Sequence, residues 1–201
     1  MRNRLLLATR NQHKKRELQE MLGDLSFEIL TLDDVPGLPE VTEDGATFAE
    51  NASKKAGQTA ALSGITCLAD DSGLSVDALE GRPGIYSARF AGPDADDDKN
   101  NEKLLQLMEG VPDEKRTAAF ICAIALADTR GNIAVVEGSC PGSIIREKAG
   151  SGGFGYDPLF IPEGYTVTFA QLDAYEKNRI SHRGQALTLA RSLIEHYIKS
   201  Q

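Results

Sequence analysis

The sequence predicts one globular domain in which short strands alternate with amphipathic helices. Its 201 residues are enough for a single well-buried core. Hydrophobic residues make up 41% of the chain and charged residues 26%, which are ordinary values for a globular protein. Short apolar runs, typical of strands, recur between segments in which the apolar residues have helical spacing. We therefore expect one domain that spans residues 1–201.

The charge and the cysteines exclude several classes of protein. A net charge of −8 argues against non-specific binding of nucleic acid, which needs a basic face. No apolar run approaches the length of a membrane span, and the N-terminus lacks the apolar core of a signal peptide. Three widely spaced cysteines in or beside apolar runs favour buried thiols in a reducing cytoplasm: Cys67, Cys122 and Cys140.

The first predicted strand, residues 4–8, leads into a basic loop and a helix. Spacings of three and four residues mark one apolar helical face, made of Leu18, Met21, Leu22 and Leu25. Basic residues between positions 10 and 16 fall on the loop and the first helical turn. The helix dipole already makes that end positive, so cations there are unfavourable unless an anion binds beside them. Their presence therefore favours an anion-binding site. The alternative is a basic face exposed to solvent.

A second strand is predicted at residues 27–32, followed by a proline-containing loop at residues 33–45. The spacing of Thr47 and Glu50 is that of a capping box, and it predicts a helix to about residue 62 that Gly64 ends. With Glu50 used by the cap, Glu43 is available to bind a metal ion. Either Lys54 or Lys55 is expected to reach a phosphate group.

Two adjacent carboxylates follow the third predicted strand, residues 65–69. Asp70 and Asp71 repel one another unless a positive charge lies beside them, and hard oxygen ligands suit magnesium. Ser72 and Gly73 predict a turn there, with a further strand at residues 74–79. The alternative is an acidic turn on the surface.

The second half of the chain predicts a hairpin, a glycine-rich loop and a terminal helix. Residues 120–127 and 133–136 are apolar runs joined by a short turn, and residues 142–146 predict a further strand. Residues 150–158 combine four glycines with two aromatic rings, which favours close approach of a flat ligand over a flexible loop. A helix is expected to open at residues 181–184, with His196 on its surface and an apolar face of Leu187, Ala190, Ile194 and Ile198.

Separated stretches agree in order and spacing with one known family: residues 7–9 (LAT), 47–52 (TFAENA), 69–74 (ADDSGL), 83–89 (PGIYSAR), 153–158 (GFGYDP) and 181–187 (SHRGQAL). By these residues the chain resembles the inosine triphosphate pyrophosphatases, which act on non-standard purine nucleoside triphosphates. The resemblance implies an α/β fold with a long, twisted mixed sheet separating two lobes and an active site in the cleft between them. It also implies a homodimer.

The resemblance implies an activity and a set of site residues. The reaction is hydrolysis of ITP, dITP or XTP to the monophosphate and pyrophosphate. Glu43 and Asp71 are expected to bind Mg²⁺, with Asp71 also activating the attacking water and Asp70 a partner or further ligand. Binding of the purine nucleoside triphosphate is then assigned to Thr9, Asn11, Lys14, Lys55, Ser72, Phe154, Gly155, Tyr156, Asp157, Lys177, His182 and Arg183.

The first loop departs from the family pattern, Thr-Gly-Asn-x-Gly-Lys. Arg10 and His13 stand where the family has glycines, which removes conformational freedom and adds two cationic or potentially cationic side chains. Two other functions remain open at this point: a nucleotide-binding sensor without catalysis, and a phosphohydrolase that releases orthophosphate. The identity of the released product distinguishes them.

Overall fold

The computed structural model describes residues 3–23 and 27–199, without the side chains of Asn3, Ile198 and Lys199. It contains six strands: β1 (Asn3–Leu7), β2 (Phe27–Thr31), β3 (Cys67–Val76), β4 (Thr117–Ala127), β5 (Ile133–Ile144) and β6 (Phe160–Pro162). It contains five α-helices: α1 (Gln12–Leu22), α2 (Phe48–Ser63), α3 (Asp97–Leu107), α4 (Ala174–Ile180) and α5 (His182–Lys199). Leu25 and the side chain of Ile198 therefore lie outside the described residues.

The strands form a six-stranded mixed sheet in the order β2-β1-β3-β4-β5-β6. β1 is parallel to β2 and to β3, whereas β5 and β6 are antiparallel. Leu7 at the end of β1 pairs with Leu68 of β3. The loop after β1 therefore lies beside the part of β3 that carries Asp70 and Asp71, as carboxyl ends of parallel strands do. The expected α/β class with a mixed sheet is confirmed.

β3 runs without a break through the stretch where a turn was expected. The predicted turn at Ser72 and Gly73, with a separate strand after it, is wrong. A Cβ atom on Gly73 would collide with the Ser87 hydroxyl and the Gly84 carbonyl. Because Gly73 has no side chain, Ser87 packs closely against the strand. Its hydroxyl then accepts a hydrogen bond from the Leu74 backbone N–H at 2.9 Å.

β5 is also longer than the sequence indicated. Residues 133–136 and 142–144 belong to one strand of 12 residues, so the further strand predicted at residues 142–146 is wrong. The hairpin with β4 is confirmed, and Asp128 organises its turn. The Asp128 carboxylate accepts hydrogen bonds from the backbone N–H groups of Arg130 and Asn132, both at 2.9 Å.

The helix caps follow the prediction, with one shift in partner. The Thr47 hydroxyl accepts from the Glu50 N–H at 3.1 Å, and Gly64 ends α2 in a left-handed conformation. The Glu50 carboxylate accepts from the N–H of Ala46, one residue before the cap, at 2.7 Å. α5 begins at His182 as expected, but the seven-residue α4 was not predicted because it is too short to show an apolar period.

The chain divides into two compact units, each with its own apolar core. The first unit comprises Met1–Asp71, Cys122–Gly138 and Gly184–Gln201. Its core is built from β1, β2, β3, β4, α1 and α5: Leu5, Leu7, Leu18, Leu22, Phe27, Leu68, Cys122, Ile124, Leu126, Ala186, Leu187, Ala190 and Ile194. His196, on the same terminal helix, is exposed as predicted.

The second unit comprises Ser72–Ile121 and Ser139–Arg183. Its core contains Leu74, Val76, Leu79, Leu104, Met108, Ala118, Phe120, Cys140, Ile144, Tyr156, Leu159, Phe160 and Phe169. All three cysteines of the chain are buried thiols, as predicted. Among the described residues, no helix has both the length and the apolar character that crossing a membrane requires. The predicted cleft between two lobes stays a prediction.

Candidate active site

The two adjacent aspartates are buried within β3. Asp70 is 1% exposed and Asp71 is 7% exposed, so the alternative of an acidic surface turn is wrong. Successive side chains of a strand point to opposite faces, and the two carboxylates accordingly have different partners. Asp70 lies 3.0 Å from the Lys14 ammonium, whereas Asp71 accepts a hydrogen bond from the Asn51 side-chain amide at 3.0 Å.

Helix α2 supplies a lysine that contacts a third carboxylate. The Lys55 ammonium donates to Glu43 at 2.6 Å, and both side chains are largely buried. Lys54 pairs instead with the exposed Asp44, so Lys55 is the lysine of α2 that belongs with the buried carboxylates. We call Glu43, Asp70 and Asp71, with Lys14, Lys55 and Asn51, the carboxylate cluster. All six residues belong to the first unit.

The charges of the carboxylate cluster influence one another. Burial alone would lower the pKa of Lys55, but the carboxylates of Asp70, Glu43 and Asp71 outweigh burial and raise it. Burial raises the pKa of Asp71; Lys14 and Asn51 oppose this shift, and the nearby charge of Glu43 adds to it. A carboxyl group with a raised pKa can accept a proton more readily than an ordinary aspartate.

The loop after β1 places Lys14 in this cluster. The Asn11 side-chain oxygen caps α1 by accepting from the N–H groups of His13 at 2.9 Å and Lys14 at 3.1 Å. The Thr9 hydroxyl in turn accepts from the Asn11 N–H at 3.2 Å. Lys14 therefore lies in the first turn of α1, where cations are unfavourable unless an anion is near. Asn11, predicted to contact phosphate, uses its oxygen as a helix cap.

A second group of polar residues surrounds Phe154 in the second unit. The Asp157 carboxylate accepts hydrogen bonds from the Phe154 N–H at 2.9 Å and from the Lys177 ammonium at 2.7 Å. Gly153 has a φ of 72°, and a Cβ atom there would collide with the same carboxylate oxygen. A glycine is therefore required for Asp157 to organise this loop.

Two cations lie over the Phe154 ring. The Lys177 ammonium is 4.8 Å from the ring centroid, and the Arg183 guanidinium carbon is 5.6 Å from it. Arg183 also donates to the Ser72 hydroxyl at 2.8 Å. We call Phe154, Asp157, Lys177 and Arg183 the aromatic cluster. Lys177 and Arg183 are both buried, so the Phe154 ring and the polar partners fix their positions.

His182 lies next to Arg183 and stacks on another ring of the second unit. Its imidazole is nearly parallel to Phe120, with ring centroids 4.7 Å apart and planes inclined by 11°. The histidine is buried, and its packing fixes the ring plane. The stacking partner was not predicted, because Phe120 lies more than 60 residues before His182 in the sequence.

Two residues predicted to bind substrate are occupied by structural contacts. The ring of Tyr156 packs in the core of the second unit, and its hydroxyl donates to the Ser87 carbonyl at 2.9 Å. The N–H of Gly155 donates to Asp97 at 2.6 Å, and its carbonyl accepts from Asn101 at 2.9 Å. Both residues therefore support the shape of the loop, and substrate contact by them stays a prediction.

Sequence reasoning did not identify Asn51, Asp97 or Asn101. Their partners are distant in sequence, with Asn51 bound to a residue 20 positions later and Asn101 to one 54 positions later. The available signal was asparagine inside a helix, where its side chain competes with the backbone and needs another reason to be present. Asn51 and Asn101 are both almost fully buried in helices, which fits that signal.

Among residues 3–23 and 27–199, no group of three or more histidine, cysteine, aspartate or glutamate side chains is arranged to hold a metal ion. The predicted pair, Glu43 and Asp71, is a set of two carboxylates whose charges act on each other. Magnesium is commonly held by one or two carboxylates together with waters and substrate phosphates. The donor set therefore fits Mg²⁺ bound with a phosphate ligand, and it does not form an all-protein cage.

Comparisons with known proteins cover nearly the whole chain. The model of the Ham1 family matches residues 5–193. A protein of Desulforamulus reducens called dITP/XTP pyrophosphatase is 54% identical over 191 residues, which is 95% of this chain and 95% of the relative. A protein of Geobacter sulfurreducens with the same name is 52% identical over 92% of this chain and 94% of the relative.

Solved structures give the same picture. The structure of a HAM1 protein from Coxiella burnetii has a TM-score of 0.89 and 40% identity, covering 96% of this chain and 99% of the other. The crystal structure of a nucleoside-triphosphatase, or dITP/XTP pyrophosphatase, from Mycobacterium abscessus has a TM-score of 0.77 and 46% identity. It covers 93% of this chain and 97% of the other.

Proposed function

This chain belongs to the Ham1 family, and we propose that it hydrolyses dITP, XTP and ITP to the nucleoside monophosphate and pyrophosphate. The names of the bacterial relatives, dITP/XTP pyrophosphatase, support the substrates. The observation that carries the proposal is the carboxylate cluster, in which the buried Asp70 and the partly buried Glu43 are paired with lysines. Removal of deaminated purines from the nucleotide pool is the role that follows from this activity.

The ion pairs of the carboxylate cluster fit a ligand that carries charges of both signs. Lys14 and Lys55 neutralise Asp70 and Glu43 at 3.0 Å and 2.6 Å. A magnesium–triphosphate complex offers a cation to the carboxylates and anionic oxygens to the lysines. Such a ligand can replace the Lys55–Glu43 ion pair without leaving either charge uncompensated, which would be costly. A neutral ligand cannot do so. Lys14 can donate to the magnesium–triphosphate complex while staying beside Asp70.

Glu43 and Asp71 are the residues that would hold Mg²⁺. When bound there, the ion neutralises phosphate charge and lets an anionic nucleophile approach phosphorus. Lys14 and Lys55 would then donate to the phosphate oxygens, together with Thr9, Asn11 and Ser72. Asp70, whose carboxylate lies 3.0 Å from the Lys14 ammonium, would keep that ammonium in position.

Asp71 is the proposed catalytic base. Asn51 holds one carboxylate oxygen, so the group can accept a proton from water in a fixed orientation. The water attacks the α-phosphorus, the bond between that phosphorus and the bridging oxygen breaks, and pyrophosphate leaves. The proton from the water passes to the Asp71 carboxylate, and the new oxygen stays on the monophosphate.

The aromatic cluster is proposed to recognise the base. Phe154 offers a ring on which a purine can stack, and Arg183 and His182 offer hydrogen-bond donors. Deamination replaces the 6-amino group of a purine, a donor, with a 6-oxo group, an acceptor. An adenine amino group would face these donors unpaired, and sites built on such a hydrogen bond reject the wrong partner by about 10⁴-fold. Lys177, Asp157, Gly155 and Tyr156 would hold the loop and the edge of the base.

The released products test this function. The purified protein is incubated with Mg²⁺ and dITP, XTP or ITP, with dATP as the matched substrate control, in water enriched in ¹⁸O. We expect pyrophosphate and a monophosphate that carries the ¹⁸O label. Release of orthophosphate would indicate attack at the γ-phosphorus, and tight binding without any product would indicate a sensor. Either result would contradict the proposal.

A cytoplasmic location and a homodimeric state are also proposed, from the family resemblance. Burial raises the pKa of the Cys67 thiol to about 12 and that of Cys140 to about 11, so both stay protonated and unreactive. Such thiols are compatible with a reducing compartment. Light scattering on the purified protein measures the oligomeric state, and a monomeric mass at micromolar concentration would contradict the dimer.

A further inference from the structure

We propose that Asn51 is a positioning residue that fixes the separation of the two metal-binding carboxylates, Glu43 and Asp71. This inference rests on the proposed function, because it takes those carboxylates to bind Mg²⁺. Asn51 is 1% exposed and has a polar partner at each end of its amide. Its nitrogen donates to the Asp71 carboxylate at 3.0 Å, and its oxygen accepts from the Gly45 N–H at 2.8 Å.

The hydrogen bond to Gly45 restricts the position of Glu43, which lies two residues earlier in the chain. A Cβ atom on Gly45 would stand 2.8 Å from the Asn51 oxygen and 2.8 Å from the Glu50 Cβ. The backbone at residue 45 therefore approaches α2 more closely than any residue with a side chain allows. Close approach and the hydrogen bond together fix the end of the loop against the helix.

The same face of α2 holds both carboxylates. Asn51 and Lys55 are four residues apart, so their side chains are neighbours on the helix surface. Asn51 contacts Asp71, and Lys55 contacts Glu43 at 2.6 Å. The two contacts differ in one respect. The Lys55 ammonium competes with a metal ion for Glu43, whereas the neutral Asn51 amide can keep its hydrogen bonds while the metal is bound.

Only an amide of this size meets both requirements. The Asp71 carboxylate needs a donor, and the Gly45 N–H needs an acceptor. Leucine has a similar volume but offers neither group. Loss of the connection would allow the carboxylates to move apart. Mutation of a residue that orients metal ligands typically lowers metal affinity or activity by about 10- to 100-fold.

The experiment measures Mg²⁺ dependence in Asn51→Leu and in Gly45→Ala, which disturbs the connection from its other end. We expect the Mg²⁺ concentration for half-maximal dITP hydrolysis to rise by about 10- to 100-fold in Asn51→Leu. The rise should be smaller but in the same direction in Gly45→Ala. Calorimetry with a non-hydrolysable α,β-methylene analogue of dITP gives a second readout: Mg²⁺ should tighten its binding less in both variants than in the parent.

Asn100→Leu is the matched control. Asn100 is also a buried helical asparagine, and its amide accepts from the Ala91 N–H at 2.8 Å and donates to the Ala88 carbonyl at 3.2 Å. This variant should lower the thermal midpoint without changing the Mg²⁺ requirement. If Asn51→Leu does not fold, Gly45→Ala carries the test.

The outcomes separate the inference from the function on which it rests. A parent protein that shows neither Mg²⁺-dependent hydrolysis nor Mg²⁺-dependent analogue binding overturns the proposed function. A parent that shows both, with an unchanged Mg²⁺ requirement in the folded variants, leaves the function intact. That second result overturns the positioning role and makes Asn51 a structural residue like Asn100.

Discussion

Lys14 and Lys55 of the first unit lie against carboxylates that are proposed to act in the reaction, whereas Lys177 and Arg183 of the second unit lie over an aromatic ring. On the proposed function, a ligand with charges of both signs replaces the Lys55–Glu43 pair of the carboxylate cluster. The contacts of the aromatic cluster would need no replacement if a purine stacks on Phe154 as proposed. On the proposed function, the difference separates Glu43 and Lys55, which exchange partners when substrate binds, from Lys177 and Arg183, which keep theirs.

This difference leads to distinct effects of mutation. A change in the carboxylate cluster should act mainly on turnover or on the metal requirement, because its groups are proposed to contact the metal and the reacting atoms. A change in the aromatic cluster should act mainly on the choice of base and on stability.

Replacing Asp71 with asparagine should lower turnover by about three orders of magnitude or more, because the amide supplies neither metal charge nor basicity. Asp70 and Asp71 point to opposite faces of β3, so relief of repulsion between them should have little influence on folding. The introduced amide oxygen can still accept from Asn51. Steady-state pyrophosphate release measures the effect, with the exposed Asp77→Asn as control. Near-full activity of Asp71→Asn would exclude β3 as the reaction centre.

Replacing Lys177 with methionine should destabilise the protein by about 3–5 kcal/mol, because it leaves the Asp157 carboxylate buried without its cation. The ion pair is short, 2.7 Å, and its side chains are only 9% and 4% exposed. Urea denaturation measures the loss. Lys148→Met is the control, since Lys148 pairs with an exposed carboxylate, Asp98, at the same distance. Equal stability of the two variants would contradict the view that the aromatic cluster is held by buried charge.

Replacing Arg183 with alanine should reduce the preference for dITP over dATP by about 100-fold, out of the roughly 10⁴-fold rejection expected of the intact site. The readout is the ratio of kcat/KM for the two nucleotides. Arg179→Ala is the control, because Arg179 is exposed and pairs with Glu176. An unchanged ratio in Arg183→Ala would place selectivity elsewhere, in the backbone of the loop at residues 153–157.

The smallest effect is expected for the first loop. Substituting glycine for both Arg10 and His13 should raise KM by about three- to tenfold, with less effect on kcat. The reason is that contacts of these two side chains with the triphosphate would already form when substrate binds, before the transition state. Both side chains are exposed, so added salt should weaken their contribution. Kinetics at two ionic strengths give the comparison with the parent. A loss of kcat at constant KM would instead place these residues beside the reacting phosphorus.

Local patterns predicted much of the fold. The α2 cap at Thr47 and its end at Gly64 depend on residues close in sequence, and both were found as expected. The turn expected at Ser72 and Gly73 was wrong because composition favours turns there, whereas packing against Ser87 holds the stretch in the sheet. Tertiary contact decided against local preference at this position.

The residues of the candidate site could be predicted from local motifs, but their partners could not. The motifs assigned the carboxylates and the cations to one predicted active site. They did not indicate that Asp70 pairs with Lys14 while Asp71 bonds Asn51, because those partners follow from the alternation of a strand that was not predicted to continue. The parallel stacking of His182 on Phe120 likewise depends on contact between distant segments.

The continuity of β3 restricts how this stretch of the chain can change. Side chains in a strand alternate, so inserting or deleting one residue between Cys67 and Asp70 would exchange the faces of the two aspartates. The exchanged chain would present the wrong carboxylate to Asn51 and to Lys14, even though every residue type were kept. Changes of identity in this segment can be compensated by neighbours, but a change of length by one residue cannot.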